Sequence, residues 1–534
     1  MKRLLLPVAA AFLVASVSAQ AETVLRIGEG SIGRLDPHEA TLVADSILMY
    51  NVYDTLVFPS LDGKSTEMKP HLAESIDVNE SGTVFTVKLR PNVKFHSGNT
   101  LSSEDVKFSM NRIIELNTGF SYMFDGWVKS IDTPDPLTAV INLTNPYGTF
   151  YSALARLSII DSKTVLAHLG KGDFGDLGDY GLDWTRKNSA GTGAYKARYH
   201  NTQERSELVK FDDYFLGIPD KAPDLVRMHY GQTDPTVIAL FERGEMDIAR
   251  SFIASETKKQ LLSVKGVTIA SEPGIAMLFM KPNNTKPPFD DVNCRKGFAY
   301  ALDYEAMMLQ EHVTDKIRGA IPAKSPMPSS HPGFDPTMAP IKQDMAKAKE
   351  FMAKCKYKPG SHKIQITWIS TVAKEERFAL IAQVNWKELG WESYVEPIVW
   401  AHWTQKVRGG AKTAPMIGQV YTFARIPDAD AYLYNIFHSS RHGQYSASEF
   451  FADDQVDEML DKARTMLPSS KRDALYAKIL RRVQDLQATF TGFEVINTYP
   501  RSDRFSWPNM EKPNMNTGLM GGNHIFRLME MKGS

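Results

Sequence analysis

The stretch VKFHSGNTLSSEDVKFSMNRI, residues 93–113, contains the signal for the start of a helix. Ser102 or Ser103 can cap a helix, because a serine oxygen accepts a hydrogen bond from a backbone N–H of the first turn. Glu104 and Asp105 follow, and acidic residues are typical of a first helical turn. The next apolar positions form an imperfect helical face: Val106, Phe108, Met110, Ile113 and Ile114. We therefore predict a helix here.

Strand patterns surround this helix. TVFTVKLR, residues 83–90, alternates with period two and predicts a half-buried strand. TVLRIGEG, residues 23–30, predicts a strand that leads into a glycine turn. Residues 452–467 and 470–490 predict two amphipathic helices separated by Pro468. Because strands and helices alternate through both halves, the sequence predicts an α/β fold.

The composition excludes several classes of protein. The chain has 534 residues, with 62 basic and 62 acidic side chains, 43% hydrophobic residues and 23% charged residues. A balanced charge gives no basic surface for nucleic acid or an anionic membrane, so we expect no nucleic-acid partner. A chain above 500 residues implies two or more packed units.

The first 21 residues are typical of a secretory signal peptide. Lys2 and Arg3 precede an apolar run over residues 4–17, and the small-residue pattern Ala-Gln-Ala closes it at residues 19–21. The run is too short for a membrane span, although an N-terminal anchor helix stays open as an alternative. We expect an exported mature chain that begins at Glu22.

The two cysteines of the chain, Cys294 and Cys355, are expected to form a disulfide in an oxidising compartment. Two separate buried thiols are the alternative. The chain contains no CxxC motif, so the sequence gives no support to a structural zinc site.

The order of eight short phrases resembles the extracytoplasmic solute-binding proteins of ABC importers, in the class that handles peptides, nickel complexes and opines. These phrases run from about residue 25 to about residue 480. The phrases are RLDPHEA (34–40), VYDTLV (52–57), the opening stretch (93–113), GTGAY (191–195), DDYFLGIPDKAPDLV (212–226), LFERGEMDIA (240–249), PPFDDVNCRKGFAYALD (287–303) and DEMLDKA (457–463).

This resemblance implies a two-lobe periplasmic binding protein fold of α/β type, with two crossings between the lobes and an extra subdomain in the first lobe. It also implies a periplasmic monomer without a cofactor that closes on a small-molecule or peptide ligand and delivers it to inner-membrane ABC permease subunits. The expected units are lobe I at 22–272, with the subdomain at about 60–188, lobe II at 273–498 and a return to lobe I at 499–534, with crossings near 273–283 and 495–502.

A secreted hydrolase is the alternative function. SETK, residues 255–258, matches the SxxK pattern of serine acyl-enzymes, but the partner KTG is replaced by KTA at residues 412–414. GxSxG and HExxH are absent. HSSRH, residues 438–442, has a metal-ligand spacing, yet two surface histidines in a loop fit its glycine and serines better. We therefore expect neither catalysis nor a metal site.

The segment YTFARIPDADAYLY, residues 421–434, is the candidate for charge recognition. In peptide-binding relatives the equivalent segment lines the cleft, and an acidic residue there pairs with the ligand's amino terminus. That position falls on Arg425 here, whose planar guanidinium suits a carboxylate or phosphate. The hypothesis is therefore an anionic or opine-type ligand. Asp428 could instead supply the carboxylate, or Arg425 could pair internally with Asp428 or Asp430, and Asp430 could equally cap a helix.

Further candidates come from the same resemblance. Trp400 and Trp403 could wall the pocket and stack on a ligand, with ordinary core packing as the alternative. Ser31, Ile32 and Arg34 lie on the first glycine loop, which is the expected contribution of the first lobe.

Overall fold

The computed structural model describes residues 22–30, 33–61, 67–511, 519 and 521–532. The predicted signal peptide lies outside these residues. Within them, no helix combines the length and the apolar character that a membrane span requires. Strands and helices alternate along the chain, as the sequence predicted.

The described residues form the following strands: β1 Val24–Gly28, β2 Val57–Pro59, β3 Met68–Pro70, β4 Ala73–Val78, β5 Val84–Leu89, β6 Val128–Asp135, β7 Thr138–Leu143, β8 Tyr195–Asn201, β9 Arg205–Lys210, β10 Leu225–His229, β11 Ile248–Ala249, β12 Val267–Pro282, β13 Ala320–Pro322, β14 Ile364–Ile369, β15 Ser393–Ile398, β16 Ile417–Phe423, β17 Phe490–Ser502, β18 Phe505–Ser506 and β19 Glu530–Met531.

The helices of the same residues are α1 Val43–Val52, α2 Ser103–Leu116, α3 Phe150–Ala153, α4 Ser162–Leu166, α5 Leu182–Thr185, α6 Asp234–Glu242, α7 Ser255–Leu261, α8 Val292–Ala301, α9 Tyr304–Leu309, α10 Met345–Lys354, α11 Ala373–Lys387, α12 Trp400–Arg408, α13 Ala429–Phe437, α14 Asp454–Thr465, α15 Ser470–Asp485 and α16 Pro508–Glu511. Short 3-10 turns cover Ser121–Met123, Leu154–Arg156, Gly175–Leu177, Ser439–Arg441, Tyr445–Ala447 and Phe526–Leu528.

Helix α2 is the helix that the opening stretch predicted. Ser102 is its N-cap residue, and its backbone N–H donates to the Asp105 carboxylate over 2.8 Å. The residues before the helix are tied to the rest of the molecule, because a ring nitrogen of His96 lies 2.8 Å from the carbonyl oxygen of Gly193. The stretch therefore joins the GTGAY turn to the helix.

One large sheet runs through the molecule in the order β15-β14-β16-β12-β17-β11-β1-β10-β9-β8, with β13 paired to β17. β1 runs parallel to β10 and β11, and β14 runs parallel to β15 and β16. The long antiparallel strands β12 and β17 lie between these two parallel groups. We call residues 22–272 and 499–532 the first lobe and residues 273–498 the second lobe.

The two predicted crossings fall on β12 and β17. β12 pairs with β17 at both ends, and its register shifts between Pro273 and Met277. A Cβ atom on Gly274 would lie 2.1 Å from the carbonyl oxygen of Val495, so this close approach requires glycine. The two strands are thus packed backbone to backbone at the position where the sequence predicts the crossings. The residue boundaries of the lobes stay a prediction.

A second sheet, in the order β4-β5-β7-β6, belongs to the region expected to form the subdomain. α2 packs on this sheet. The hydrophobic core beneath it also includes Ile426 and Ala431 from the second lobe. The subdomain therefore contacts the second lobe directly in this structure.

The predicted disulfide is confirmed. Cys294 on α8 is bonded to Cys355 at the end of α10, with their Cα atoms 4.8 Å apart. Both helices belong to the second lobe. The bond closes a loop over a sequence separation of 61 residues, which in the chain-entropy view contributes up to about 4 kcal/mol.

Candidate functional site

A cavity of about 730 Å³ lies between the lobes. The first lobe contributes the end of β1, the start of α1, residues 250–256 and the beginning of β12. The second lobe contributes residues 369–377, Trp400 and the end of β16. Ligand pockets in proteins typically measure about 300–1,000 Å³, so the cavity has the size of a small-molecule or short-peptide site.

Aromatic rings from both lobes meet at one wall of this cavity. Phe252 of the first lobe lies 5.8 Å from the ring of Tyr421 and 5.6 Å from that of Phe423, both on β16. Edge-to-face contacts of this kind contribute about 0.5–1.5 kcal/mol beyond the buried area. The wall is therefore apolar, and it forms only when the lobes are together.

The cation next to this wall is matched within the protein. The ammonium of Lys374 lies 2.9 Å from the Glu311 carboxylate, and the Tyr421 hydroxyl donates to the same carboxylate over 2.6 Å. Lys374 also lies over the rings of Phe252 and Tyr421. Its charge is thus neutralised before any ligand arrives.

The first-lobe part of the cavity lining includes a carboxylate that is only half satisfied. Glu272 on β12 is buried, and its Oε1 accepts hydrogen bonds from Asn497 over 3.2 Å and from Tyr499 over 3.1 Å. Its Oε2 is buried and finds no hydrogen-bond partner in the described part of the chain. Burial raises the pKa of Glu272 to about 7, against the opposing effect of its hydrogen bonds from Asn497 and Tyr499.

Glu29, at the end of β1, also lines the cavity and is buried. Burial raises its pKa to about 7, against the opposing charge of Arg250. Arg250 itself is committed elsewhere, since it donates to the carbonyl oxygen of Gln232 and pairs with Asp234 at 3.0 Å. Glu29 therefore has a cation nearby but no bidentate partner among the described residues.

His524 completes this side of the cavity. Its ring lies 5.2 Å from that of Tyr499, and both ring nitrogens are buried without a partner among the described residues. Burial lowers the pKa of His524 to about 3, so its imidazole is neutral. We call Glu29, Glu272, Asn497, Tyr499 and His524 the acidic patch.

Glu375 is a third cavity carboxylate with a shifted pKa. It accepts a hydrogen bond from the backbone N–H of Ile369 over 2.8 Å, and burial raises its pKa to about 8. It belongs to the second lobe. Carboxylates thus outnumber cations around the cavity, since the lining cations are Arg250, Lys374 and Arg377 and the lining carboxylates are Glu29, Asp234, Glu256, Glu272 and Glu375.

The structure places Arg425 next to the cavity wall, in a contact between the lobes. Its guanidinium donates to the carbonyl oxygen of Thr41 over 3.2 Å and to the hydroxyl of Tyr445 over 3.0 Å. Its own carbonyl oxygen accepts from Arg156, whose Nε lies 2.7 Å away. Arg425 is not among the residues that line the cavity.

Asp428 also lies outside the cavity lining, and it does not pair with Arg425. Its carboxylate forms a bidentate ion pair with Arg472, with both distances at 3.0 Å, and accepts a hydrogen bond from Thr149 over 3.0 Å. Asp428, rather than Asp430, caps helix α13. Asp430 pairs with Arg464 at 3.1 Å. The Asp428 carboxylate is therefore satisfied by the protein itself, whereas Asp430 Oδ1 is buried and finds no hydrogen-bond partner among the described residues.

Of the two predicted tryptophans, Trp400 lines the cavity and Trp403 does not. Trp400 is 44% exposed and stacks on Trp403 at 5.2 Å, and its ring also contacts Tyr445 at 5.4 Å. Trp403 is buried beneath it, against Gly418. Trp400 is therefore part of the pocket wall and Trp403 packs in the core, so each residue has one of the two roles that the sequence left open.

Of the three residues predicted on the first glycine loop, only Arg34 lies within the described residues. Arg34 pairs with Asp45 at 3.0 Å and is not part of the cavity lining. Ser31 and Ile32 lie outside the described residues. Among the described residues, no group of three or more potential metal ligands lies together. The expectation of two surface histidines is wrong for His438, which is buried with its ring stacked on that of Tyr434 at 4.2 Å.

Comparison with known proteins agrees with this architecture. The family model of the bacterial extracellular solute-binding proteins, family 5 Middle, matches residues 67–444. The chain belongs to the family 5 bacterial extracellular solute-binding proteins. Members of this family are solute-binding proteins of ABC importers, and this solute-binding protein is accordingly not an enzyme.

Two curated relatives cover most of the chain. The first is the probable D,D-dipeptide-binding periplasmic protein DdpA of Escherichia coli (strain K12), 25% identical over 460 residues, or 84% of each chain. The second is the glutathione-binding protein GsiB of the same strain, 24% identical over 478 residues, or 88% of each chain.

A solved structure shows the same fold. The substrate-binding protein CtaP from Listeria monocytogenes superimposes on this solute-binding protein with a TM-score of 0.82 at 21% identity, covering 96% of this chain and 99% of the other. The two-lobe α/β fold expected from the sequence is therefore confirmed.

The acidic patch of this solute-binding protein is the part of the site that the sequence did not reveal. Glu272 and its partners Asn497 and Tyr499 lie more than 220 residues apart in the chain. The one local signal is that Glu272 lies in a largely apolar segment, residues 267–282, where an acidic residue is unusual.

Proposed function

We propose that the protein is the periplasmic solute-binding component of an ABC import system, and that it captures a peptide or peptide-like ligand by closing its two lobes. The cavity of about 730 Å³ that both lobes line is the observation that carries this proposal. A ligand that touches both lobes stabilises the closed arrangement over an open one. The closed arrangement is therefore the one that the protein adopts when its ligand is bound.

Contacts between the lobes support closure as the mechanism. At the cavity, the Ser255 hydroxyl donates to the carbonyl oxygen of Gln310, and Arg377 pairs with Glu256. Outside the cavity lining, Thr149 of the subdomain donates to Asp428 of the second lobe. The polar contacts of the closed state are therefore made largely by the protein, and the ligand supplies the remaining free energy.

The chemistry of the cavity suits a peptide-like ligand. An aromatic wall can cover apolar side chains, and polar groups around it can satisfy backbone amides, which must be matched once they are buried. The relatives are named for a D,D-dipeptide and for glutathione, and both names describe amide-linked amino acids. Arg425 gives no support to an anionic or opine-type preference, because its guanidinium binds Thr41 and Tyr445.

The remaining parts of the proposal come from the family. The binding protein would act as a monomer after removal of residues 1–21, and would pass its ligand to inner-membrane permease subunits. The lobes would be 22–272 with 499–534, and 273–498, with the subdomain at about 60–188. β12 and β17 would then be the two connections on which the lobes rotate.

Mass spectrometry of molecules released from natively purified protein tests the ligand class. We expect masses that fragment into amino acids, and we expect that incubation with those peptides yields no product. Small-angle X-ray scattering of stripped protein should show a smaller radius of gyration after the released molecules are added back. Released molecules that contain no amide bond would remove the peptide part of the proposal, and an unchanged radius would remove closure.

A further inference from the structure

The acidic patch contains the least satisfied polar groups of the cavity. Of its members, Glu272 has one carboxylate oxygen without a partner, and His524 has two ring nitrogens without one, within the described residues. Both side chains are more than nine-tenths buried and belong to residues that line the cavity. A buried polar atom without a partner destabilises a protein by about 1–3 kcal/mol, so such atoms need an explanation.

The members of the patch lie close to one another. The Tyr499 hydroxyl donates to Glu272, and the Tyr499 ring touches that of His524. Glu29 lines the same cavity. One ligand can therefore reach Glu272 and His524 together, on either side of Tyr499.

We infer that the acidic patch is a subsite for a cationic nitrogen of the ligand, which donates hydrogen bonds to Glu272 Oε2 and lies next to His524, with Glu29 lining the same cavity. An ammonium has three N–H donors and no acceptor, and the patch offers two carboxylates and an imidazole nitrogen as acceptors. The second imidazole nitrogen carries a proton when the ring is neutral, so it can donate to a neighbouring carbonyl oxygen of the ligand.

This subsite is not where the sequence placed charge recognition. The resemblance pointed to the second lobe, at Arg425 or Asp428. The structure matches Asp428 to Arg472 and leaves Glu272, on the first-lobe end of a hinge strand, without a full set of donors. An anionic group on the ligand does not fit the patch, because it would be buried beside two carboxylates.

The inference rests on the proposed binding of peptide-like ligands and adds the group that is recognised. Three tetrapeptide libraries test it with ligand-free protein. The first has free amino termini and contains only Ala, Gly, Ser and Leu, the second is the same library acetylated at the amino terminus, and the third is acetylated and carries one Lys. Native mass spectrometry identifies captured peptides, and calorimetric titration measures their affinity.

We expect capture of the first library and at least about thirtyfold weaker binding of the second. The third library will be captured only if the amine of the Lys side chain can occupy the subsite in place of the terminal amine. Loss of a buried charge partner has effects of this size. Glu272→Gln should weaken binding of amine-bearing peptides at least about thirtyfold and change binding of the second library less than threefold. Glu74→Gln, on an exposed position of β4, is the matched control and should change neither.

Each result decides the matter. Equal capture of the first two libraries, or a Glu272→Gln variant that still discriminates between them, would overturn the cationic subsite while peptide binding stands. Capture of none of the libraries would remove peptide binding, and the subsite with it. Glu29→Gln gives a second measurement if the first variant does not fold, and it should weaken amine-bearing peptides at least about tenfold.

Discussion

Two groups of buried charges, one in the cavity lining and one outside it, differ in how completely the protein satisfies them. At the contact between subdomain and second lobe, Asp428 has both oxygens bound by Arg472, and Thr149 donates to one of them. In the acidic patch, Glu272 has one oxygen bound by neutral donors and the other bound by no described residue. The first arrangement stabilises the protein, and the second is ready for a ligand.

The difference shows that a charged residue near a cleft is not by itself a binding residue. Charges that are matched inside the protein carry little preference for a ligand, because any ligand group would have to displace an existing partner. Charges that are buried and unmatched raise the free energy of the empty protein, and a complementary ligand removes that cost. The predictions below test this contrast, beginning with the largest expected effect.

The matched side is tested by Asp428→Asn. The substitution keeps an oxygen for the helix cap but removes the charge, so Arg472 is left buried without its partner. Breaking a buried ion pair in this way costs about 3–5 kcal/mol. Urea unfolding should show a loss of that size in the free energy of unfolding.

Two further variants control this result. Glu350→Gln removes one partner of an exposed helical ion pair with Lys354 and should leave the midpoint of unfolding unchanged within error. Adding Arg472→Met to Asp428→Asn should recover part of the lost stability, since no unmatched charge then remains. An Asp428→Asn protein as stable as the wild type would show that the pair does not hold the structure.

Removing the charge of Glu272 should raise the free energy of unfolding, whereas removing that of Asp428 should lower it. The pKa of Glu272 is raised from 4.5 to about 7 by burial. The folded protein therefore holds this proton more tightly than the unfolded chain, and the associated stability is present below pH 4.5 and lost as the pH rises through 7. With 1.36 kcal/mol for each pKa unit, the loss is about 3 kcal/mol.

Glu272→Gln removes this loss, because the amide stays neutral. We expect the variant without ligand to be more stable than the wild type at pH 8, by up to about 3 kcal/mol, and nearly equal to it at pH 4.5. Denaturant unfolding at the two pH values measures both differences. A stability difference that is the same at both would mean that Glu272 does not titrate with a raised pKa.

Arg425→Ala separates the closing contact from the alternative that Arg425 binds an anion. Loss of the hydrogen bonds to Thr41 and Tyr445 should weaken closure by about 1–3 kcal/mol, since each of the two contributes a net of about 0.5–1.5 kcal/mol. Affinity should then fall roughly fivefold to 150-fold. The fall should be the same for a peptide and for its carboxyl-terminal amide.

Calorimetric titration of wild type and variant with both peptides gives the comparison. A loss confined to the peptide with a free carboxylate would return Arg425 to the ligand site, and with it the preference for anionic ligands that the sequence suggested. Lys387→Ala, at the end of α11, is a suitable control, because its residue lies outside the cavity lining and is exposed.

The sequence predicted the fold better than the site, for a physical reason. The cap of α2 at Ser102 and the alternation in β5 are local signals, and local hydrogen bonds and burial decide those elements. The roles of Arg425 and Glu272 depend on which partners reach them across the fold. Asp428 was named as a possible partner of Arg425, but its partner is Arg472, 44 positions away, and no periodicity in the sequence reports that pairing.

Trp400 marks the border between the two kinds of region, and it carries the smallest expected effect. Its indole is 44% exposed at the cavity, while Trp403 and Tyr445 fix its position from behind. Tyr445 in turn accepts a hydrogen bond from Arg425, so the contact between Arg425 and Tyr445 holds this wall of the pocket.

Stacking of the kind seen at Trp400 contributes about 0.5–1.5 kcal/mol, so Trp400→Ala should weaken ligand binding about twofold to tenfold. The substitution should leave the unfolding midpoint nearly unchanged, because the side chain is largely outside the core. Tyr394→Ala, at an exposed aromatic on the edge strand β15, should alter neither property. If Trp400→Ala lowered stability as strongly as affinity, Trp400 would belong to the matched, structural side of the contrast.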